Sequence, residues 1–459
     1  MGDKRQKIQM ELAFMSEGAG EARARRQEGT ESTMARGEAE RTDATQRLME
    51  DVCERRNLKR ALRRVKSNKG SPGMDGMTVK ELPDYLIRNW DAMRKQLLDG
   101  TYEPKPVKRV EIDKPDGGVR KLGIPTVIDR FVQQAVLQVL NQQWDGTFST
   151  HSHGFRTNHS AHKAIAEAQS YIREGHDWVV DIDLEKFFDR VNHDRLMARL
   201  ATRTTDQRML RLIRSFLKAG VLEGGLVSVP EEGTPQGGPL SPLLSNIVLD
   251  ELDKELEERG HKFVRYADDC NIYVRSRRAG ERVLASLREF LTRRLRLRVN
   301  ETKSAVDQPS RRKFLGFTFT RREAKRTIAP RSLERFKGKI RDLTRRTGGR
   351  SFAQVLKSVN VYLQGWRGYY GVIETPSVLK ELDGWIRRRL RELLWVQWKT
   401  WKMRYRQLRK LGIDHDKAKG LAGTGHGPWV TSNLRTLTRA LPVAYFDTLQ
   451  LTRLCQAAS

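Results

Sequence analysis

Two adjacent carboxylates, Asp268 and Asp269, stand inside "RYADDCNIYV" (265–274). Strand-forming residues surround them: Phe263 and Val264 lead in, and Ile272, Tyr273 and Val274 lead out. The pattern of "KFVRYADDCNIYVRS" (262–276) is that of two short strands around a turn. Such a turn holds both carboxylates in a fixed place. Charges held in an apolar setting are costly unless countered. A divalent cation that takes oxygen ligands, Mg2+, is the natural counter-charge, and a solvent-facing turn is the ordinary alternative. In "VVDIDLEKFF" (179–188), Asp181 and Asp183 lie two apart on a predicted strand and share one face. If that strand neighbours the hairpin, Asp183 meets Asp268 and Asp269. Three clustered carboxylates suit two metal ions about 3.5–4 Å apart, which clamp the attacking and leaving oxygens of a phosphoryl transfer. Asp181 fits better as a capping or salt-bridge group.

The elements that must position these residues follow from periodicity and turn chemistry. Residues 46–66 read as a basic amphipathic helix ending in the loop "SNKGSPGMDG". "PVKRVEIDKPDGGVRKLGIP" (106–125) alternates around "KPDGG", a hairpin signal. "DRFVQQAVLQVL" (129–140) reads as a buried helix, "WVVDID" (178–183) as a strand and "LEKFFDRVNHDRLMARL" (184–200) as the helix after it. "EGTPQGGPLSPLLSNIVLDELDKEL" (232–256) reads as a tight turn and a helix. This is not a regular alternation of strand and helix, so a mixed α+β sheet is expected. In "RSLERFKGKIRDLTRR" (331–346), Leu333, Phe336, Ile340 and Leu343 have helical spacing. Thr375-Pro376 opens a further helical pattern for which Gly412 is a plausible stop.

The 459 residues carry a net charge of +30, and 38% are hydrophobic, enough for more than one core. A cationic surplus of this size points to a polyanionic partner. It is uneven: residues 1–50 carry −1 and residues 321–459 carry +20. Residues 1–45 are poor in large apolar side chains and read as disordered or loosely helical. The three cysteines form no C-x-x-C pair, which leaves a zinc ribbon or disulfide framework without support. No secretory leader or apolar run of ~18 residues is present, so no membrane association is expected.

"YADD" after an apolar strand, "DIDLEKFFD" and "GTPQGGPLSPLLSNI" together resemble reverse transcriptases, above all bacterial group II intron-encoded proteins. "KGSPGMDG" (69–76), "RKLGIPTVIDRFVQQA" (120–135), "SHGFR" (152–156), "VNETKSAV" (299–306) and "FLGF" (314–317) follow the same family order. The resemblance covers roughly residues 48–430. It implies a right-hand polymerase with α+β fingers and palm over 46–322 and a helical thumb, or maturase domain, over 323–430. Residues 431–459 are left as a short DNA/RNA-binding tail. No His-Asn-His nuclease with paired cysteines follows, so the chain resembles the endonuclease-lacking, group IIC-like class.

By that resemblance Asp183, Asp268 and Asp269 are catalytic and hold two Mg2+ ions, with Mn2+ as a substitute and the Ile182 carbonyl near the second. Phe188 matches the aromatic that excludes a ribose 2′-OH, and its neighbour Phe187 reads as core. Lys114 and Arg120 match residues that grip the incoming triphosphate, and Gln236 one that contacts the nucleotide. Pro235, Gly237 and Gly238 shape the loop around Gln236. Lys303 matches a proton donor to pyrophosphate. Tyr266, Leu315, Gly316 and Phe317 match the support of the primer end. Cys270 reads as a small buried residue, and His151 and His153 as loop residues. Six of the nine tryptophans lie in the tail, mostly at core spacing, and Arg387, Arg388, Arg389, Arg391, Lys402 and Arg404 among them are the RNA-binding candidates. The implied partners are intron RNA, an RNA template with a DNA primer, dNTPs and target DNA. The chain is expected to be a monomer or dimer in the bacterial cytoplasm.

Overall fold

The protein, represented by a computed structural model, is described over residues 47–113, 118–223, 226–229, 232–234, 237–346 and 348–455. The expected N-terminal extension over 1–45, Lys114, Pro235 and Gln236 lie outside these residues. The chain forms two compact units, one taking in the chain up to Ala168 and His176–Asp307, the other Gln169–Gly175 and Gln308–Ser459. This division falls at Asp307 rather than at 322.

The first unit holds two four-stranded sheets. One runs β2-β1-β4-β5, where β1 is Val107–Asp113, β2 Val119–Ile124, β4 Val221–Glu223 and β5 Leu226–Ser228. β1 and β2 form the expected hairpin, with Ile112 opposite Arg120. The second sheet runs β6-β7-β3-β8, with β3 Trp178–Ile182, β6 Lys262–Tyr266, β7 Asp269–Val274 and β8 Ala305–Asp307. All its pairings are antiparallel. β3 therefore neighbours the hairpin directly, with Ile182 opposite Cys270. One face of this sheet buries Val180, Ile182, Cys270, Ile272 and Val274 in a core shared with Phe131, Leu252 and Leu287.

Caps and breakers explain where the helices depart from the sequence reading. The first is split into Leu48–Val52 and Arg55–Asn68. The buried helix runs over Val127–Trp144, started by Thr126, whose hydroxyl accepts from the Asp129 N–H. No continuous helix follows β3. Lys186 has a left-handed φ of 48°, Phe187–Asp189 make a single tight turn, and Asn192 caps a separate helix, His193–Ala201.

The second unit is helical, with a two-stranded sheet of β9 (Phe317–Phe319) and β10 (Arg326–Ile328). Pro330–Leu343, Phe352–Tyr370 and Pro376–Gln397 are its main helices. Ser351 and Gln354 form a reciprocal capping box at the second of these. The long pattern from Pro376 breaks at Trp398–Thr400, and Trp401–Lys410 is a separate helix ending before Gly412, at φ 80°. Residues 431–455 are not a separate tail: Leu437, Leu441, Phe446, Leu451 and Leu454 lie in the same core as Phe336, Leu390 and Trp395. Asp383 ties that end down by accepting from the Leu454 and Cys455 N–H groups.

Candidate active site

Tyr266 pairs with Asp269 across the β6–β7 hairpin, leaving Ala267 and Asp268 as a two-residue turn. Ala267 has φ 59°, a conformation that favours glycine, so the turn carries strain. Asp183 follows the last residue of β3. Its backbone is held from both sides: its N–H donates to Ser304 Oγ at 2.9 Å, and its carbonyl accepts from Asn300 N–H at 2.8 Å. "VNETKSAV" thus acts by pinning Asp183. Lys303 Nζ stands 3.4 Å from Asp183 Oδ2, an ion pair without hydrogen-bond geometry, and that oxygen is buried with no hydrogen-bond partner.

Burial pushes the Asp268 carboxyl above the usual carboxylate range, and the nearby Asp183 charge pushes it further. Arg120 and Arg265 pull the other way. The structure therefore brings Asp183 and Asp268 into one electrostatic field, with Arg120 of the fingers hairpin acting on it. Asp269 lies on β7, and its charge falls with that of Asp181 on the Tyr273 hydroxyl. Among the described residues no group of three His, Cys, Asp or Glu side chains is placed to hold one ion.

What fixes the turn lies beneath it and went unread in the sequence. Arg265, in β6, is fully buried, as is its ion-pair partner Asp253. Nε and Nη2 donate to the two Asp253 oxygens at 2.7 and 2.5 Å. Nη2 also donates to Ser152 Oγ at 2.7 Å, and Nη1 to Asn246 Oδ1 at 3.0 Å and the Ala267 carbonyl at 2.9 Å. All five guanidinium N–H groups are used. Asn246 in turn donates to the Gly154 carbonyl at 2.8 Å. A Cβ at Gly154 would lie 2.2 Å from the Ala267 nitrogen, so only glycine fits against the turn.

Phe187 is buried in the core and Phe188 is half-exposed, as the sequence separates them. The Phe188 carbonyl accepts from Thr234 N–H at 2.6 Å, which fastens the start of the "TPQGG" loop to it. Across that loop, a Cβ at Gly237 (φ 129°) would lie 2.6 Å from the Gly123 carbonyl oxygen. Gly237 thus serves close approach to the protein's own backbone, while Gly238 lies against the Gln133 side chain. Tyr266 is half-buried, Ile182 and Cys270 are buried, and Arg120 is exposed. His151 and His153 both bond Glu167, the latter at 2.6 Å. They are therefore anchors beneath β6, not free loop side chains.

In the second unit, Leu315 (φ 51°) and Gly316 (φ 86°) form a strained corner. The Leu315 carbonyl accepts from Tyr369 Oη at 2.8 Å, and Phe317 is buried against the Tyr369 and Tyr370 rings. The Phe317 side chain is thus an interior anchor of this segment. Four arginine side chains among the RNA-binding candidates have partners within the protein. Arg391 is only 7% exposed and donates to the Ser432 carbonyl at 2.9 Å; burial lowers its guanidinium to about 10. Arg389 bonds Thr344 and Glu392, and Arg388 lies over the Trp429 ring, 3.8 Å from its centroid. Arg404 donates to the Trp398 carbonyl and covers Trp395. Lys399, Lys402, Arg406, Arg409 and Lys410 are exposed, and Arg387 half-exposed. Among the described residues no helix is long and apolar enough to cross a membrane.

Residues 112–319 match the family model for reverse transcriptase (RNA-dependent DNA polymerase), and residues 333–412 that for the group II intron, maturase-specific domain. Protein YkfC of Escherichia coli (strain K12) is 34% identical over 301 residues, 57% of this chain and 79% of YkfC. Group II intron-encoded protein LtrA of Lactococcus lactis subsp. cremoris is 37% identical over 206 residues, 45% of this chain and 34% of LtrA. The match spans only about a third of LtrA. A telomerase structure from Candida albicans aligns over 77% of this chain and 65% of its own, with 14% identity and a TM-score of 0.46. The carboxylate hairpin and the domain matches define an RNA-directed DNA polymerase of the reverse transcriptase class. The chain belongs to the bacterial group II intron reverse transcriptase–maturase family.

Arg265→Met leaves Asp253 buried and unpaired and should cost about 3–5 kcal/mol of stability. Arg265→Lys, with three donors in place of five, should keep the charge and still loosen the turn. Thermal unfolding with primer-extension assays checks both; a lysine variant with wild-type extension would refute the role given to the five-bond network.

Proposed function

We propose that this protein copies RNA into DNA at the Asp183–Asp268 site, and that it binds a group II intron RNA, assists its splicing and copies it during retrohoming. The site observation behind this is a buried Asp183 oxygen that accepts no hydrogen bond, in the field of a second carboxylate whose proton affinity burial and the Asp183 charge raise. Two carboxylates in that state call for a cation. Mg2+ is commonly held by one or two carboxylates with substrate phosphates completing its shell, which suits a site without a three-residue ligand set. Asp183 and Asp268 would hold the ions and Asp269 would add negative field; when bound, two such ions activate the primer hydroxyl and stabilise the pyrophosphate leaving group.

The protein's own groups supply the rest. Arg120 and, by the family match, Lys114 place positive charge over the triphosphate. Phe188 sits under the sugar with its backbone fixed by the Thr234 bond, and Gln236 contacts the nucleotide. Lys303, drawn to Asp183 in the free protein, is free to give its proton to pyrophosphate once that charge is balanced. The exposed cations Lys399, Lys402, Arg406, Arg409 and Lys410, with the half-exposed Arg387, offer phosphate contacts to intron RNA. Target DNA and the bacterial cytoplasm complete the setting of this reading.

Asp268→Asn should abolish extension of a DNA primer on RNA, a loss of ~100-fold or more. Because the folded carboxyl is raised, its charged form opposes folding above the unfolded pKa, and this penalty fades as pH falls. At pH 7 the asparagine variant should therefore melt higher than wild type, and the difference should shrink as pH falls. Mg2+ should raise the wild-type melting temperature and leave the variant's unchanged. Equal metal responses would sink the metal assignment; a folded, RNA-binding wild type without synthesis would leave a splicing cofactor only.

Phe188→Ala should lower dNTP-over-NTP discrimination by roughly 10–100-fold, read from kcat/KM for each nucleotide. Unchanged discrimination places the sugar gate elsewhere. Lys402→Gln with Arg406→Gln should flatten the dependence of log Kd on log salt for intron RNA by ~1.4, or ~0.7 per single-strand phosphate lost. Arg391→Met should instead lower the melting temperature and leave that slope in place. The reverse pattern would contradict this division of the cations.

A further inference from the structure

"SHGFR" contributes more than anchors to the site. Four of its five residues are held by bonds or close packing, and the other, Phe155, is exposed. Ser152 bonds Arg265, and the His153 N–H donates to the Arg265 carbonyl at 2.8 Å. Gly154 is pressed on the Ala267 backbone and held by Asn246. Arg156 donates to Asp145 Oδ1 at 3.1 Å, the Asp145 carbonyl at 2.7 Å and the Ser152 carbonyl at 2.9 Å. Phe155, between two such clamped residues, is 53% exposed and has φ 60°. A large aromatic side chain is a poor tenant of left-handed backbone, and glycine would sit there without strain. An exposed ring gains little from folding to offset that strain. Its centroid is 6.5 Å from that of Tyr266, the residue that opens the Ala267–Asp268 turn.

We infer that Phe155 is a nucleic-acid contact of the polymerase: with Tyr266 it forms an aromatic platform on which the 3′-terminal nucleotide of the primer stacks. The inference rests on the polymerase reading above. Every base has a π face, so an aromatic platform grips the primer end without reading its sequence. Strain at a rigidly supported, solvent-facing residue next to the carboxylates is the pattern expected where backbone conformation is held for function rather than for stability. No proton or bond moves at Phe155, and its role is to position.

The test uses the full chain, an RNA template and a DNA primer with 2-aminopurine as its 3′-terminal base, with Mg2+ and without dNTPs. Wild type should quench the probe on binding. Phe155→Ala should lose most of that quench and raise the Kd several-fold. Phe155→Trp should restore both, while Phe155→Leu, similar in bulk but without a π face, should not. Phe155→Gly should melt at or above the wild-type temperature while binding as weakly as Phe155→Ala. An unchanged quench in Phe155→Ala, a leucine variant equal to wild type, or a glycine variant that melts well below it would each overturn the inference. Because binding is read without synthesis, the two readings fail separately. A protein that shows the Phe155-dependent quench but never extends primers loses the polymerase reading alone. One that extends normally with an unaltered quench in Phe155→Ala loses the stacking role alone.

Discussion

A guanidinium with no exposed surface holds the catalytic hairpin in place. Arg265 and Asp253 are both fully buried, and a pair in that position must satisfy every donor to be tolerated. It does so by reaching three parts of the chain: the helix Ser241–Glu258 through Asp253 and Asn246, the loop at Ser152, and the turn itself at Ala267. Asn246, Asp250 and Asp253 lie at positions i, i+4 and i+7 and so share one helix face. Asp250 is also fully buried and binds Arg199 at 2.8 Å and Lys254 at 2.5 Å. That helix follows the "TPQGG" loop, so motifs far apart in sequence are joined by one inward polar stripe. The turn cannot move without breaking bonds that nothing else in the interior could replace.

The cost of this rigidity appears in the backbone. Lys186, Phe155 and Ala267 adopt left-handed φ values of 48°, 60° and 59°. Lys186 lies just past Asp183 and turns the chain into Phe187 and Phe188, and Ala267 precedes Asp268. Strain of this kind, of order 1–3 kcal/mol per residue, persists only where surrounding contacts over-determine it. Here those contacts are the Arg265 cluster, the Arg156 clamp and the Asn300–Ser304 grip on Asp183. The same region holds a raised carboxyl and an unsatisfied carboxylate oxygen. Stability is given up where the Asp183 and Asp268 carboxylates share one electrostatic field.

Most of the site was legible because its signals are local. The hairpin around Asp268 is announced by apolar runs on both sides, and the shared face of Asp181 and Asp183 by their spacing. Phe187, read as core, is buried, and Phe188, given its role by the family match, is partly buried against the same core. The adjacency of β3 and β7 could be posed only as a condition, since pairing is a non-local fact. Arg265 was illegible for a related reason: in "KFVRY" a charged residue next to the turn reads as solvent-facing, and only tertiary contact with Asp253, twelve residues earlier, reveals its burial. The helix drawn through 184–200 failed at Lys186 and Asn192, where a left-handed residue and a cap interrupt a pattern that periodicity alone carries across.

The basic tail shows why charge counts overstate a nucleic-acid surface. A net of +20 over residues 321–459 suggests a continuous cationic face. Yet much of the arginine run from 387 to 391 is engaged within the protein, because a planar guanidinium can stack on a tryptophan ring and donate to carbonyls at the same time. Arg391 holds Ser432, Arg389 joins Thr344 to Glu392, and Arg388 and Arg404 cover Trp429 and Trp395. These arginines give the helical unit its packing. The cations left most exposed lie in and around Trp401–Lys410, where Lys402, Arg406 and Lys410 face solvent while Arg404 and Arg409 bond the Trp398 and Ile413 carbonyls. Arginine serving the interior and mixed cations serving the surface is a division that follows from hydrogen-bond geometry, and composition alone cannot display it.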